Sequence, residues 1–208
     1  MKNFNLLGIL FSLLSATAFS QSPIIPLTTN QSTTIPGAYY KDVDGNLDQF
    51  VGTWRIINGA TELELIIEKK TLYYNTLNNI YEDMLIGEYK YIENGILKIN
   101  TLNLISNPPA DLYSHNINGN IILAHDNFPV CDDCLFEKRV ALIFSDPTRS
   151  SDNGLWGELE LRRMDDGNVQ KIKATLRQKG NIISLENEPP AYTGFNVPFG
   201  TYILTRVP

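Results

Sequence analysis

The 208-residue chain predicts an all-β fold, an antiparallel meander closing into a β-barrel behind an extended N-terminal arm. Three observations carry this expectation. Short runs alternate apolar and polar residues with period two. Asn-Gly, Asp-Gly and Gly-Asn dipeptides fall between those runs and tolerate the positive φ of tight hairpin turns, so successive strands should pair antiparallel. No apolar stripe at helical spacing is longer than about two turns. A two-sheet β-sandwich is the alternative, because turn spacing alone does not separate it from a barrel.

Residues 1–20 read as a signal peptide. Lys2 supplies a positive start, Leu6 to Leu14 an apolar core, and Ala18 and Ser20 the small residues before a cleavage site. The apolar run is shorter than the roughly 20 residues needed to span a bilayer, so no membrane span is expected. Residues 21–45 form the arm. Pro23, Pro26, Pro36 and many Ser/Thr make its first part an extended leader on the surface rather than a core element.

A single all-β domain should then occupy residues 46–208. Asn46 and Gln49 match a capping box for one helical turn ending at Gly52, with a strand from Thr53. In Thr61–Glu68, Leu63, Leu65 and Ile67 share one face and glutamates the other. Between Gly154 and Arg163, Leu155, Leu159 and Leu161 point inward, as do Ile172, Ala174 and Leu176 between Gln170 and Arg177. Turns are expected at Asn58-Gly59, Asn94-Gly95, Asn118-Gly119, Asp166-Gly167 and Gly180-Asn181, with longer loops at Pro108-Pro109 and Pro189-Pro190. Glu158, Glu160 and Arg162 opposite Lys171, Lys173 and Arg177 read as a solvated sheet face of cross-strand charge pairs.

Composition narrows function by exclusion. With 17 Lys plus Arg against 23 Asp plus Glu, the chain is acidic and lacks the basic face that nucleic acid demands. Cys131-Asp132-Asp133-Cys134 reads first as a local disulfide in an oxidising compartment. A redox pair would want an electropositive setting, which the two aspartates oppose, and a half zinc site would need His115 and His125. A two-residue hairpin at Asn118-Gly119 would put those histidines on opposite faces of the sheet. Asp42 to Asp48 invites calcium, but the glycine stands fourth rather than sixth and Thr53 falls where an EF-hand places glutamate. No nucleophile motif or phosphate loop occurs, so no catalytic residue, metal or cofactor is predicted. The remaining enzyme route is a facing pair of acids drawn from Glu82, Asp83, Glu88, Glu186 and Glu188.

Two resemblances add to this reading. Gly52-Thr53-Trp54 after a helical turn, with a terminal strand carrying Arg206, resembles the calycin barrels, the lipocalins and fatty-acid-binding proteins. That resemblance implies barrel-closing, structural roles for Trp54, Arg206 and Gly52, with the arginine stacked on the tryptophan. Pro208 stands where fatty-acid-binding proteins carry an aromatic, so no fatty-acid site is carried over. The chain as a whole is similar to an uncharacterised family of small exported bacterial proteins, a domain of unknown function. The similarity lies in Ser22 to Leu27, Tyr39 to Asp42, Phe50 to Thr53 and Gly87 to Gly95. It implies export and a common fold, without an activity.

The function expected is that of a soluble, exported, non-catalytic barrel, periplasmic or secreted, whose mouth takes a small, partly apolar ligand. The alternatives are a cell-envelope protein-interaction module marked by an apolar patch around Tyr113, Tyr192 and Phe195, and a carboxylate-based hydrolase.

Overall fold

The computed structural model describes residues 22–29, 34–134, 136–149, 154–180 and 192–208. The expected signal peptide, the Gly180-Asn181 turn beyond Gly180, Glu186 and Glu188 lie outside the described residues. Within them, Gly52–Asn58 (β3), Thr61–Asn75 (β4) and Ile80–Glu93 (β5) form one antiparallel run. Ile117–Leu123 (β7), Arg139–Phe144 (β8), Gly157–Arg163 (β9), Lys171–Gln178 (β10) and Gly200–Val207 (β11) form a second. Pairing of β5 with β7 and of β11 with β3 joins the two runs into a closed, eight-stranded antiparallel barrel. Closure removes the sheet edges and decides against the sandwich.

The long strand β5 organises everything outside the ring. One of its edges pairs with β4 along most of its length. The other serves three partners in turn: β2 (Tyr39–Lys41) at Tyr81 and Glu82, β7 from Leu85 to Gly87, and β6 (Ile96–Asn100) beyond Lys90. The arm is therefore not simply laid on the surface. Ile24–Pro26 (β1) pairs parallel with β2, β2 pairs parallel with β5, and Ile25 and Ala38 are buried. Residues 101–116, which carry the helical turn Asn103–Ser106 (α1) and the tighter turn Leu112–Ser114, connect β6 to β7 and bond to the outer face of β5.

Asn118-Gly119 is not a hairpin turn. It lies inside β7, where the pairing with β8 slips between Asn118 and Ile121. The positive φ of Gly119, 137°, serves a bulge at which β7 leaves the edge of β5, so the same local preference bends a strand instead of reversing it. The turn at Asp48–Phe50 is also capped differently from the expectation. Gln49 Nε2 donates to the Asn46 carbonyl, while the Asn46 and Leu47 amides donate to the carboxylate of buried Asp42.

Alternation fills the barrel interior. Leu63, Leu65 and Ile67 from β4, Leu159 and Leu161 from β9, and Ile172, Ala174 and Leu176 from β10 are all buried with Tyr89, Ile117 and Leu142. Leu47, Phe50 and Trp54 stop one end. At the other, Tyr89, Phe144, Phe195 and Phe199 stack in series at centroid separations of 4.6, 5.7 and 5.3 Å. A packed interior with two stoppered ends leaves the expected ligand in the barrel mouth without a chamber among the described residues.

The charged face of β9 and β10 is covered at Glu160 and Arg162, while Glu158, Lys171, Lys173 and Arg177 stay partly exposed. The loop joining β7 to β8 folds across it, leaving Glu160 and Arg162 nearly buried. Arg139 from β8 holds that loop by donating to the carbonyls of Pro129, Ala124 and Asn127 and to Glu160.

Candidate functional site

Among the described residues, each one singled out by the sequence has a definite place. Trp54 and Arg206 face each other across the β3–β11 pair, and the Arg206 guanidinium stands 5.8 Å from the indole centroid. Arg163 from β9 approaches the same ring at 5.3 Å, a second cation that the sequence reading missed. Trp54 is fully buried and donates from Nε1 to the Phe50 carbonyl at 2.7 Å. Gly52 has φ 134°, and a Cβ there would stand 3.2 Å from Arg206 Nε. The substitution Gly52→Ala therefore combines backbone strain with displacement of the arginine. It should destabilise the fold by about 1–3 kcal/mol, read from the urea midpoint at unchanged slope.

The Asp42–Asp48 segment already holds a cation, and it is Lys69. Its ammonium lies 2.8 Å from Asp42 and 2.7 Å from Asp48. Burial opposes the charge on Lys69, but those two hydrogen bonds outweigh it and raise its pKa. Asp83 is fully engaged next to them: its carboxylate accepts from the Asp42 and Leu72 amides and from the Tyr39 hydroxyl. Burial, then that bond to Asp83, push the Tyr39 phenol up to about 12.

The other acids on β5 are likewise occupied. Glu82 accepts from Tyr113, Asn75 and Asn120. Glu88, fully buried, accepts from the amide and side chain of Asn116 and lies 2.8 Å from His115 Nδ1. Alternation turns Glu82 and Glu88 outward, six residues and about 20 Å apart along the strand, and Asp83 inward. None of the three faces another across a groove. Tyr113, Tyr192 and Phe195 do not assemble a patch: the first is bound to Glu82, the second lies under Arg149, and the third is in the aromatic stopper.

Cys131 and Cys134 form a disulfide, and the histidines do not approach it as ligands. His115 is sealed against Glu88, and the His125 carbonyl accepts the Cys131 amide. What the sequence did not disclose is that Arg162 from β9 reaches the pair, with Nη1 at 3.7 Å from Cys131 Sγ and 2.9 Å from Asp133. Hydrogen bonding to Arg162 holds the Asp133 carboxyl below its ordinary range.

Among the described residues, two hollows that border β7 lie outside the barrel as places for a ligand. The larger, about 670 Å³, is an open cleft between the arm and β7. Of its polar side chains, Glu82, Asn120 and Asn127 already have partners. The smaller, about 290 Å³, lies on the outer face of β7, β8 and β9. Its lining includes Ile121, Ala141 and Ile143, with Trp156 as a partly exposed wall. Asn118, Ile143 and Glu158 form one row across these three strands. At one end, Asn118 donates from Nδ2 to the Tyr113 and His115 carbonyls, which fixes the amide orientation, and its buried Oδ1 has no partner. At the other, Glu158 Oε1 accepts no hydrogen bond, though Arg177 Nη1 stands 3.8 Å from it, and its second oxygen is 3.1 Å from Lys179. Two strand spacings separate these acceptors by about 10 Å.

This largely apolar slot, with a partnerless amide oxygen at one end and an ion-paired carboxylate at the other, is the candidate site. Its one legible trace in the sequence is the unbroken apolar run Val140 to Phe144, which signals a strand covered on both faces. Asn118 was disguised as a turn residue, and nothing local marks Trp156. The sequence model of a family of unknown function (DUF6705) matches residues 1–207. No curated protein matches the chain. No solved structure matches it either.

Proposed function

Because the chain belongs to this family of unknown function, whose match spans nearly all of it and carries no activity, we propose a reading from the site itself: an exported, non-catalytic barrel protein that binds a small, partly apolar molecule bearing a hydrogen-bond donor. The ligand lies on the outer wall of the barrel, beside Trp156, and not in its mouth. The observation that carries the reading is the buried, partnerless Oδ1 of Asn118 in a largely apolar slot. A buried acceptor without a donor costs about 1–3 kcal/mol, which a ligand N–H or O–H recovers. Glu158 at the far end favours a cationic donor, and an aromatic or aliphatic body suits Ile143 and Trp156. Export is supported by the charged start and apolar core of residues 1–20 and by the disulfide.

The test uses 2-phenylethylamine as a cationic apolar probe and 3-phenylpropionate as its anionic counterpart. Trp156 emission should change saturably with the amine, and the change should vanish in Trp156→Phe. Glu158→Gln should weaken amine binding about tenfold, equivalent to about 1.4 kcal/mol. Absence of a saturable change in the unaltered protein, or equal binding of the two probes, overturns the reading.

A further inference from the structure

We propose that the Cys131–Cys134 disulfide is a thiol-exchange site, separate from the Trp156 slot, whose substrate is a low-molecular-weight thiol carrying a carboxylate. Three observations converge on it. The two sulfurs differ in access, since Cys131 is partly exposed and Cys134 is buried. An incoming thiolate therefore meets Cys131 first. Cys131 also opens onto a hollow of about 340 Å³ between the β7–β8 loop and the outer face of β9 and β10. Four cations line it, Arg139, Arg162, Lys173 and Arg177, against the acids Glu160, Asp132 and Asp133. Finally, Arg139 is almost wholly buried and uses Nη1 and Nη2 on the loop and Glu160, yet its Nε has no acceptor. An N–H of a buried cation left without an acceptor beside a hollow suits an anion.

The exchange balances without any other reagent. The thiolate of the substrate attacks Cys131 Sγ; a new S–S bond forms and the Cys131–Cys134 bond breaks, its electron pair leaving on Cys134. Cys134 takes a proton from solvent and, as a thiol, donates to the Cys131 carbonyl 3.4 Å away. A second substrate thiolate attacks the substrate sulfur of the mixed disulfide. It departs as the oxidised substrate dimer and leaves Cys131 as a thiolate beside the Arg162 guanidinium. Two thiols are oxidised and one protein disulfide is reduced. Asp133 Oδ1, 3.3 Å from Cys131 Sγ, accepts the S–H when Cys131 is protonated, and its other oxygen is neutralised by Arg162.

The full oxidised chain is treated with 3-mercaptopropionate, 2-mercaptoethanol and cysteamine at equal thiolate concentration, and free protein thiols are counted over time. The anionic thiol should react about tenfold faster than the cationic one, with the neutral thiol between. Lys173→Gln, a partly exposed position, should narrow that ratio to about threefold at unchanged melting temperature. In Cys134→Ser, the disulfide dimer of 3-mercaptopropionate should form a stable adduct that peptide mapping places on Cys131. In Cys131→Ser, buried Cys134 should stay unmodified until the protein is unfolded. Equal rates for the three thiols, a faster cationic thiol, or an adduct on native Cys134 overturns the proposal.

Discussion

Arg139→Met should lower stability by about 3–5 kcal/mol, read as a fall in the urea midpoint. The side chain is 1% exposed and makes four hydrogen bonds in this fold: to the carbonyls of Pro129, Ala124 and Asn127 and to Glu160. Methionine fills much of the volume but supplies none of the donors. Three loop carbonyls lose a charged partner, and Glu160 keeps only Arg177, at 3.0 Å. Arg139→Lys should recover little, because one ammonium cannot replace a planar fork that reaches loop and strand together. Hydrogen exchange should rise first in residues 124–138, before the barrel opens, since Arg139 is what ties that loop to β8. A midpoint within the equivalent of about 1 kcal/mol of the unaltered protein would show that the loop is held by something else.

Trp54→Ala carries the other large expectation, a loss of about 3–5 kcal/mol. The indole is fully buried between the end of the meander and the Asp48–Phe50 turn, so alanine leaves a cavity in the floor. It also strands the Phe50 carbonyl, which accepts from Nε1. Trp54→Phe separates these effects: most of the packing survives, and about 1–2 kcal/mol should go with the lost donor. Combining Trp54→Leu with Arg206→Gln in a double-mutant cycle should show a coupling of about 0.5–1 kcal/mol, the scale of a cation over an aromatic face. A near-zero coupling would make Arg206 a bystander and leave Arg163, the nearer of the two, as the cation that matters.

The β4, β9 and β10 patterns were legible because burial of one face per strand writes itself as period two. Leu63, Leu65, Ile67, Leu159, Leu161, Ile172, Ala174 and Leu176 all lie where alternation puts them. Asn118-Gly119 was misread because positive φ is a property of one residue, whereas a bulge and a turn differ in which strands lie alongside. Glu160 and Arg162 were misread for a related reason. Their polar alternation says only that they face away from the core, and the loop anchored by Arg139 then folds over that outer face. Asp42 and Asp48 looked like cation ligands and are so, but for Lys69, which lies 21 residues from the nearer of them.

Sequence alone therefore determined the strand faces, most of the hairpins and the two ends of the meander at Trp54 and Arg206. These follow from local stereochemistry and from the fixed alternation of side chains along an extended backbone. Only the tertiary structure decided that the interior is filled, that Glu160 and Arg162 are roofed, and that Asn118 keeps an unsatisfied oxygen beside Trp156. Those outcomes depend on which distant segments come to lie across a finished wall. Contacts through space, set by packing and by the demand that buried polar groups find partners, leave no period in the chain to read.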